Sequence, residues 1–255
     1  MSARTIENYE PADNLLEGRL VMVTGAGDGI GKAAAVSYAA HGASVILLGK
    51  TIKKLEKVYD EIEAAGYPEA VILPLDLQGA TAADYATVAE RIEEDFGRLD
   101  GLLHNAGVLG DLTPLEHYDP ETWNKVMQVN LTAEFLLTRS MIPLLRASGD
   151  SSVVFTSSSV GRKGRAHWGA YAVSKFATEG LMETLADEMD DKRNSVRVNS
   201  LNPGATRTYM RHMAYTGEDP ARNPEPDAIM GTYLYLMGPD SKGVTGEKFD
   251  AQVKR

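Results

Sequence analysis

Short apolar runs alternate with amphipathic stretches along most of the chain, and the two kinds of pattern predict two kinds of element. RLVMVT predicts a buried strand at Leu20–Thr24, and the glycines after it lead into a helix of small residues, GKAAAVSYAAHG. SVILLG predicts a second strand, TIKKLEKVYDEIEAAG an amphipathic helix ended by Gly66, and AVILPLD a third strand. TAADYATVAERIEEDFG is a further helix, with a fourth strand over Leu99–His104. A longer helical region is expected from Glu121 to Arg146, with Pro143 bending or restarting it near its end. SSVVFTS is a fifth strand, YAVSKFATEGLMETLADEMD a helix, and SVRVNSLNP a sixth strand.

Continuous apolar runs mark strands buried on both faces, and their alternation with helices is the βαβ signature of a parallel sheet. Right-handed crossovers then give an α/β fold, a Rossmann-type doubly wound parallel sheet. No linker or repeat divides the chain, so a single domain is expected over residues 17–255, preceded by a polar, irregular arm over 1–16. The arm is read either as lying on the surface or a partner, or as disordered. In such a sheet the ligand lies beyond the carboxyl ends of the strands.

Composition narrows the function. The chain has 255 residues, 43% of them hydrophobic, and a formal charge of -10. That charge argues against a nucleic-acid partner held through phosphates. With no cysteine, thiol catalysis and disulfides are excluded, and the five scattered histidines give no metal-ligand spacing. No apolar run is long enough to span a membrane and no signal-peptide pattern opens the chain, so a cytoplasmic protein without a membrane partner is expected.

Two motifs carry candidate chemistry. At the first strand-to-helix turn stands Thr24-Gly25-Ala26-Gly27-Asp28-Gly29-Ile30-Gly31. Glycines there let the backbone turn sharply and approach a diphosphate, whose charge faces a helix N-terminus; alone, such a turn could be only a tight turn. Further on, Tyr171 and Lys175 are spaced to lie on one helix face, one turn apart. A tyrosine hydroxyl has a free pKa of about 10, and a nearby ammonium favours the phenolate, which fits such a group to pass a proton to or from an alcohol or carbonyl oxygen. Alone, that pair is more often a packed tyrosine with a solvated lysine.

Taken together, TGAGDGIG, HNAG at His104–Gly107, Asn130, Ser158, Tyr171-x-x-x-Lys175 and Asn202-Pro203-Gly204 occur in the order of the short-chain dehydrogenase/reductase family, which the chain resembles over residues ~18–250. Within it, TSSSVGRKGRAHWGAYAVSKFATEG and HNAGVLGDL resemble the bacterial YciK-type branch. The resemblance implies that Tyr171 is the acid/base, Lys175 its supporting cation and nicotinamide-ribose ligand, and Ser158 the hydroxyl that steadies the substrate oxygen. It implies that the Asn130 carbonyl holds a relay water. Gly25, Asp28, Gly29, Ile30 and Gly31 resemble the diphosphate turn, Asp76 and Leu77 the adenine contact, and Asn105, Ala106 and Gly107 the turn beside the adenosine ribose. Pro203, Gly204, Thr206 and Thr208 resemble the segment that meets the carboxamide. The family's subunit helices match Glu121–Arg146 and Tyr171–Asp191, with Ala133, Leu137, Ala177, Leu181 and Leu185 as the symmetric surface of a homodimer or homotetramer.

Three departures stand out. His104 replaces the usual first Asn of its motif, Asp28 stands where many NADP-preferring members carry a basic residue, and TGEKFDAQVKR lacks the usual C-terminal ending, which leaves the last strand open. The cofactor reading turns on Lys50. The second strand ends without the acid that binds adenosine ribose hydroxyls in NAD-preferring proteins, and Lys50 stands where NADP-preferring members commonly carry Arg. NADP(H) is therefore expected over NAD(H), unless Asp28 cancels the lysine. Arg162, Lys163 and Arg165 are read either as a solvated loop or as a guide for an anionic substrate, Trp168 as pocket wall or core, and Tyr209–Pro226 as the substrate lid. The resulting expectation is an NADP(H)-dependent oxidoreductase acting on a small carbonyl or alcohol substrate (EC 1.1.1-type). The alternative is a non-catalytic NADPH-binding sensor or interaction protein, which has no need of an intact Ser-Tyr-Lys set.

Overall fold

The computed structural model describes residues 3–191 and 194–253. Strands β1 (Arg4–Thr5), β2 (Leu20–Thr24), β3 (Ser44–Gly49), β4 (Val71–Pro74), β5 (Gly101–His104), β6 (Asp150–Thr156), β7 (Asp190–Asp191), β8 (Asn194–Asn202) and β9 (Lys248–Asp250) form one sheet in the order β1-β9-β8-β6-β5-β2-β3-β4. All pairings along that path are parallel, and the short β7 adds antiparallel to β8. The main helices are α1 (Gly29–Ala40), α2 (Ile52–Ala64), α3 (Ala82–Phe96), α4 (Pro120–Met127), α5 (Ala133–Ser148), α6 (Gly169–Met189), α7 (Tyr209–Ala214) and α8 (Met230–Met237).

Each central strand feeds both faces. Val21, Val23, Val45, Leu47 and Val154 pack under α1, α2 and α8, whereas Met22, Ile46, Leu48, Val153 and Phe155 pack under α3, α5 and α6. Helix ends are fixed by local chemistry. Asp119 accepts from the Thr122 amide at 2.7 Å with Pro120 at the first helical position, Thr81 and Asp84 form a capping box, and Gly97 ends α3 with φ 72°.

Two elements differ from the sequence expectation, the last strand that it left open forms, and α7 and α8 were not anticipated. The region expected to bend or restart near Pro143 continues through it as one helix, α5, and the irregularity lies earlier, in a π-helical turn at Gln128–Thr132. That turn carries Asn130, whose side chain is pinned by the Val108 backbone. The segment read as an arm joins the domain: Arg4–Thr5 pairs with β9, and Leu15 and Leu16 are in the core. The C-terminus forms β9 despite its unusual sequence. Residues 1–2 of the arm and 254–255 of the domain lie outside the described residues. Among the described residues, no helix is long and apolar enough to cross a membrane.

Candidate active site

β2 sends the chain to β3 on one side while β5 pairs on its other, so the carboxyl ends of β2 and β5 open a crevice. Two cavities of about 490 and 440 Å³ lie there and meet at Gly25, Asp28, Ala106, Gly107 and Tyr209.

The glycine turn shapes the junction. Gly25 and Gly29 have φ of 68° and 52°, values that suit glycine, and a Cβ on Gly31 would lie 2.2 Å from the Gly25 carbonyl oxygen. Gly31 itself does not line either cavity; it lets α1 pack against the turn. Asp28 caps α1, accepting from the Gly29 amide at 2.8 Å, and its other oxygen takes Lys54 Nζ at 2.5 Å. These contacts hold its carboxyl below the usual range, the Lys54 contact most. Across the crevice, Thr24 Oγ1 accepts from the amides of Asn105 and Ala106 at 2.9 and 3.0 Å, tying the two turns together.

The larger cavity is lined by Gly25, Asp28, Gly29, Ile30, Asn105, Ala106, Gly107, Ser158, Tyr171, Lys175, Pro203, Gly204, Thr206 and Thr208. The smaller one is lined by Lys50, Asp76 and Leu77 with Thr51 and Lys54. The catalytic candidates Ser158, Tyr171 and Lys175 thus come together in one cleft. Asn130 does not reach it. Its side-chain oxygen accepts from the Val108 amide at 2.8 Å, its amide donates to Ser174 Oγ at 3.1 Å, and its carbonyl lies 3.4 Å from Thr178 Oγ1.

Tyr171 is nearly buried against Trp168, which lines the cleft with Leu109 and Met210. Lys175 Nζ donates to the Thr156 carbonyl at 2.7 Å, so the end of β6 fixes the cation. Gly161 makes this possible: a Cβ there would lie 2.8 Å from Lys175 Cβ. Glu179, one turn beyond Lys175, anchors the serine loop from behind. It accepts from Ser157 Oγ at 2.5 Å, Ser200 Oγ at 2.7 Å and Arg162 Nε at 3.0 Å. Arg162 also bonds Asp250 at 2.7 Å, so it is a half-buried brace rather than a guide for substrate. Arg165 instead stacks on Trp168 and Tyr215 and donates to the Tyr215 hydroxyl at 2.6 Å.

The expected lid carries α7, capped by Thr208 Oγ1, which accepts from the Arg211 amide at 3.1 Å. Arg211 forms a two-pronged pair with Glu218 at 2.6 and 2.7 Å and lies over the Tyr215 ring. From the C-terminus, Gln252 Nε2 donates to the carbonyls of Pro203 and Ala205 at 2.8 and 3.0 Å and holds the Pro203–Gly204 turn. Sequence reading missed Lys54, Thr24, Glu179 and Gln252 as supports. Only Lys54 left a signal, one helical turn after Lys50. Among the described residues, no cluster of three or more acidic or histidine side chains suits a metal ion.

The subunit surface needs correction. Ala133, Leu137 and Leu185 are core residues, and Ala177 and Leu181 are half-buried. The helices turn those positions inward, and the exposed apolar side chains are Phe135, Val173 and Phe176, at 48%, 41% and 45% exposure.

A parallel doubly wound sheet with a glycine turn at its switch point and a Ser-Tyr-Lys cleft defines a nucleotide-dependent oxidoreductase fold. The family model for short chain dehydrogenases matches residues 19–219, and the chain belongs to that family. The oxidoreductase YciK of Escherichia coli K12 is 51% identical over 250 residues, covering 97% of each chain. A short chain dehydrogenase structure from Pseudomonas syringae is 58% identical with a TM-score of 0.94, covering 96% of this chain and 99% of that one. One from Escherichia coli CFT073, complexed with NADPH, is 52% identical with a TM-score of 0.92, covering 95% and 100%.

Proposed function

We propose that the protein is an NADP(H)-dependent oxidoreductase that interconverts a carbonyl and an alcohol, with Tyr171 as general acid/base. The observation that carries this reading is that Ser158, Tyr171 and Lys175 line the same cleft as the glycine turn. The cleft fits a dinucleotide on its own terms: the turn is too tight for a side chain at Gly31, and the second cavity offers Lys50 where a 2′-phosphate needs a cation, beside the Lys54–Asp28 pair. The NADPH complex of the Escherichia coli CFT073 relative supports the same choice.

The turn Gly25–Gly31 would hold the diphosphate, Asp76 and Leu77 the adenine, and Lys175 with Pro203, Gly204, Thr206 and Thr208 the nicotinamide end. When bound, the cofactor supplies or takes the hydride. The chain's own residues manage the proton. Tyr171 gives a proton to the carbonyl oxygen in reduction, or takes one from the alcohol in oxidation. Ser158 donates a hydrogen bond to the same oxygen as its charge develops. The Lys175 ammonium, fixed by the Thr156 carbonyl, stabilises the phenolate. The Asn130 side chain positions the Val108 loop and α6, and its backbone carbonyl would hold the water of a proton relay to Lys175. The walls formed by Leu109, Trp168, Met210 and Tyr215 favour an apolar or aromatic carbonyl compound. The exposed Phe135, Val173 and Phe176 favour assembly through α5 and α6 as a homodimer or homotetramer.

A panel of aromatic and aliphatic ketones and aldehydes, with NADPH consumption followed by fluorescence, tests the reading. Turnover with at least one member is expected. Binding of NADPH without turnover across the panel would favour a non-catalytic sensor.

A further inference from the structure

Behind Lys175 lies an acid for which the cleft gives no other use. Glu134 opens α5 directly after the π turn, and it and Lys175 are each 3% exposed. Its Oε1 is 3.5 Å from Lys175 Nζ, and its Oε2 accepts from Thr178 Oγ1 at 2.8 Å. A carboxylate buried this deeply persists only when paired, and Lys175 is the cation paired with it among the described residues.

Among the described residues, no further charged side chain is bonded to either member of the pair. His104 on β5 binds Thr138, one turn along α5, at 2.7 Å, and burial pushes it down to about 3, so it is neutral. The carbonyls of Asn130 and Thr156 and the Thr178 hydroxyl are uncharged, and Tyr171 stands one turn before Lys175 on α6. Glu179 on that helix turns instead to Ser157, Ser200 and Arg162.

We propose that Glu134 is a positioning residue for Lys175: its carboxylate pairs with the ammonium from behind and, with the Thr156 carbonyl, holds it at the end of β6 where it faces the cleft. The inference rests on the function proposed above. Burial raises the Glu134 carboxyl to about 7, with Lys175 and then Thr178 drawing it partly back. Below that value Glu134 is neutral and no longer pairs with the ammonium; above it the two charges are paired.

The test uses the ligand-free protein labelled at Glu Cδ, titrated by carbon NMR, with Glu134→Gln for assignment, Lys175→Met as the variant, and circular dichroism to confirm folding. The Glu134 resonance is expected to titrate near neutrality and to move upward in Lys175→Met. With a turned-over carbonyl, the wild-type pH profile of kcat should carry an inflection near neutrality that Glu134→Gln removes, with kcat falling more than KM rises. A Glu134 titration indifferent to Lys175→Met, or a neutral-pH inflection that survives in Glu134→Gln, would overturn the proposal. Because the NMR titration needs neither cofactor nor substrate, it stands apart from any failure to find turnover.

Discussion

Asp28 shows how one side chain changes the cofactor argument. Its carboxylate caps α1 and pairs with Lys54, so its charge is largely offset within the protein. Lys50 is exposed at the mouth of the adenosine-side cavity. Lys50→Ala is expected to weaken NADPH binding by about 10- to 100-fold, the worth of one charge-assisted contact, while leaving NADH nearly unchanged. Fluorescence titration with both reduced cofactors checks this, and equal losses for both would remove Lys50 as the source of preference. Lys50 was legible because a strand end without an acid is a pattern of residue types. The Asp28–Lys54 pair was not, because it depends on where the glycine turn meets α2 in space. Gly25, Gly29 and Gly31 were readable by spacing, whereas the clamp of Thr24 on Asn105 and Ala106 joins turns 81 and 82 residues apart.

At the scale of elements, the apolar runs located the central strands because each is buried on both faces. They under-read β1 and β9, whose pairing is short and lies at the sheet edge. Periodicity located α1 to α6 but not the short α7 and α8, nor the π turn at Gln128–Thr132, which leaves the pattern of apolar residues intact while adding one residue to a turn. The lid is held by a specific latch, Arg211 on α7 to Glu218, with Asn223 Nδ2 donating to Glu218 at 2.9 Å. The Arg211 bond, then the Asn223 bond, holds the Glu218 carboxyl down to about 2. A depressed carboxyl contributes its pairing above its ordinary value near 4.5 and loses it as pH falls through about 2, so the latch is expected to be constant across neutral pH. Glu218→Gln should leave α7 looser at pH 7 to 8: limited proteolysis within residues 209–226 should speed up, and KM should rise more than kcat falls. Cleavage at the wild-type rate would show that the pair does not hold the lid.

For the molecule as a whole, the same helices that carry Glu134, Tyr171 and Lys175 inward present Phe135, Val173 and Phe176 outward. Three half-exposed apolar side chains on adjoining helices suit a self-complementary contact, in which each copy covers the other's patch. The wild type is expected to be a dimer or tetramer in light scattering at micromolar concentration, and Phe176→Asp to be smaller. A monomeric wild type would contradict this. The helices of that surface were visible in the sequence, but the face was not: inward and outward positions on α6 follow from how it lies on β6 and β8, and both faces of it are rich in small and apolar residues.

If Tyr171 moves the proton in a nicotinamide-dependent carbonyl reduction, loss of its hydroxyl alone must slow the reaction. Tyr171→Phe keeps the ring that packs on Trp168 and removes only the hydroxyl. The direct measurement is kcat of this variant beside wild type on a carbonyl that the wild type reduces, with NADPH affinity measured on both. The account predicts a loss of about two decades or more in kcat with NADPH binding largely retained. Near-normal turnover by the Phe variant would contradict it.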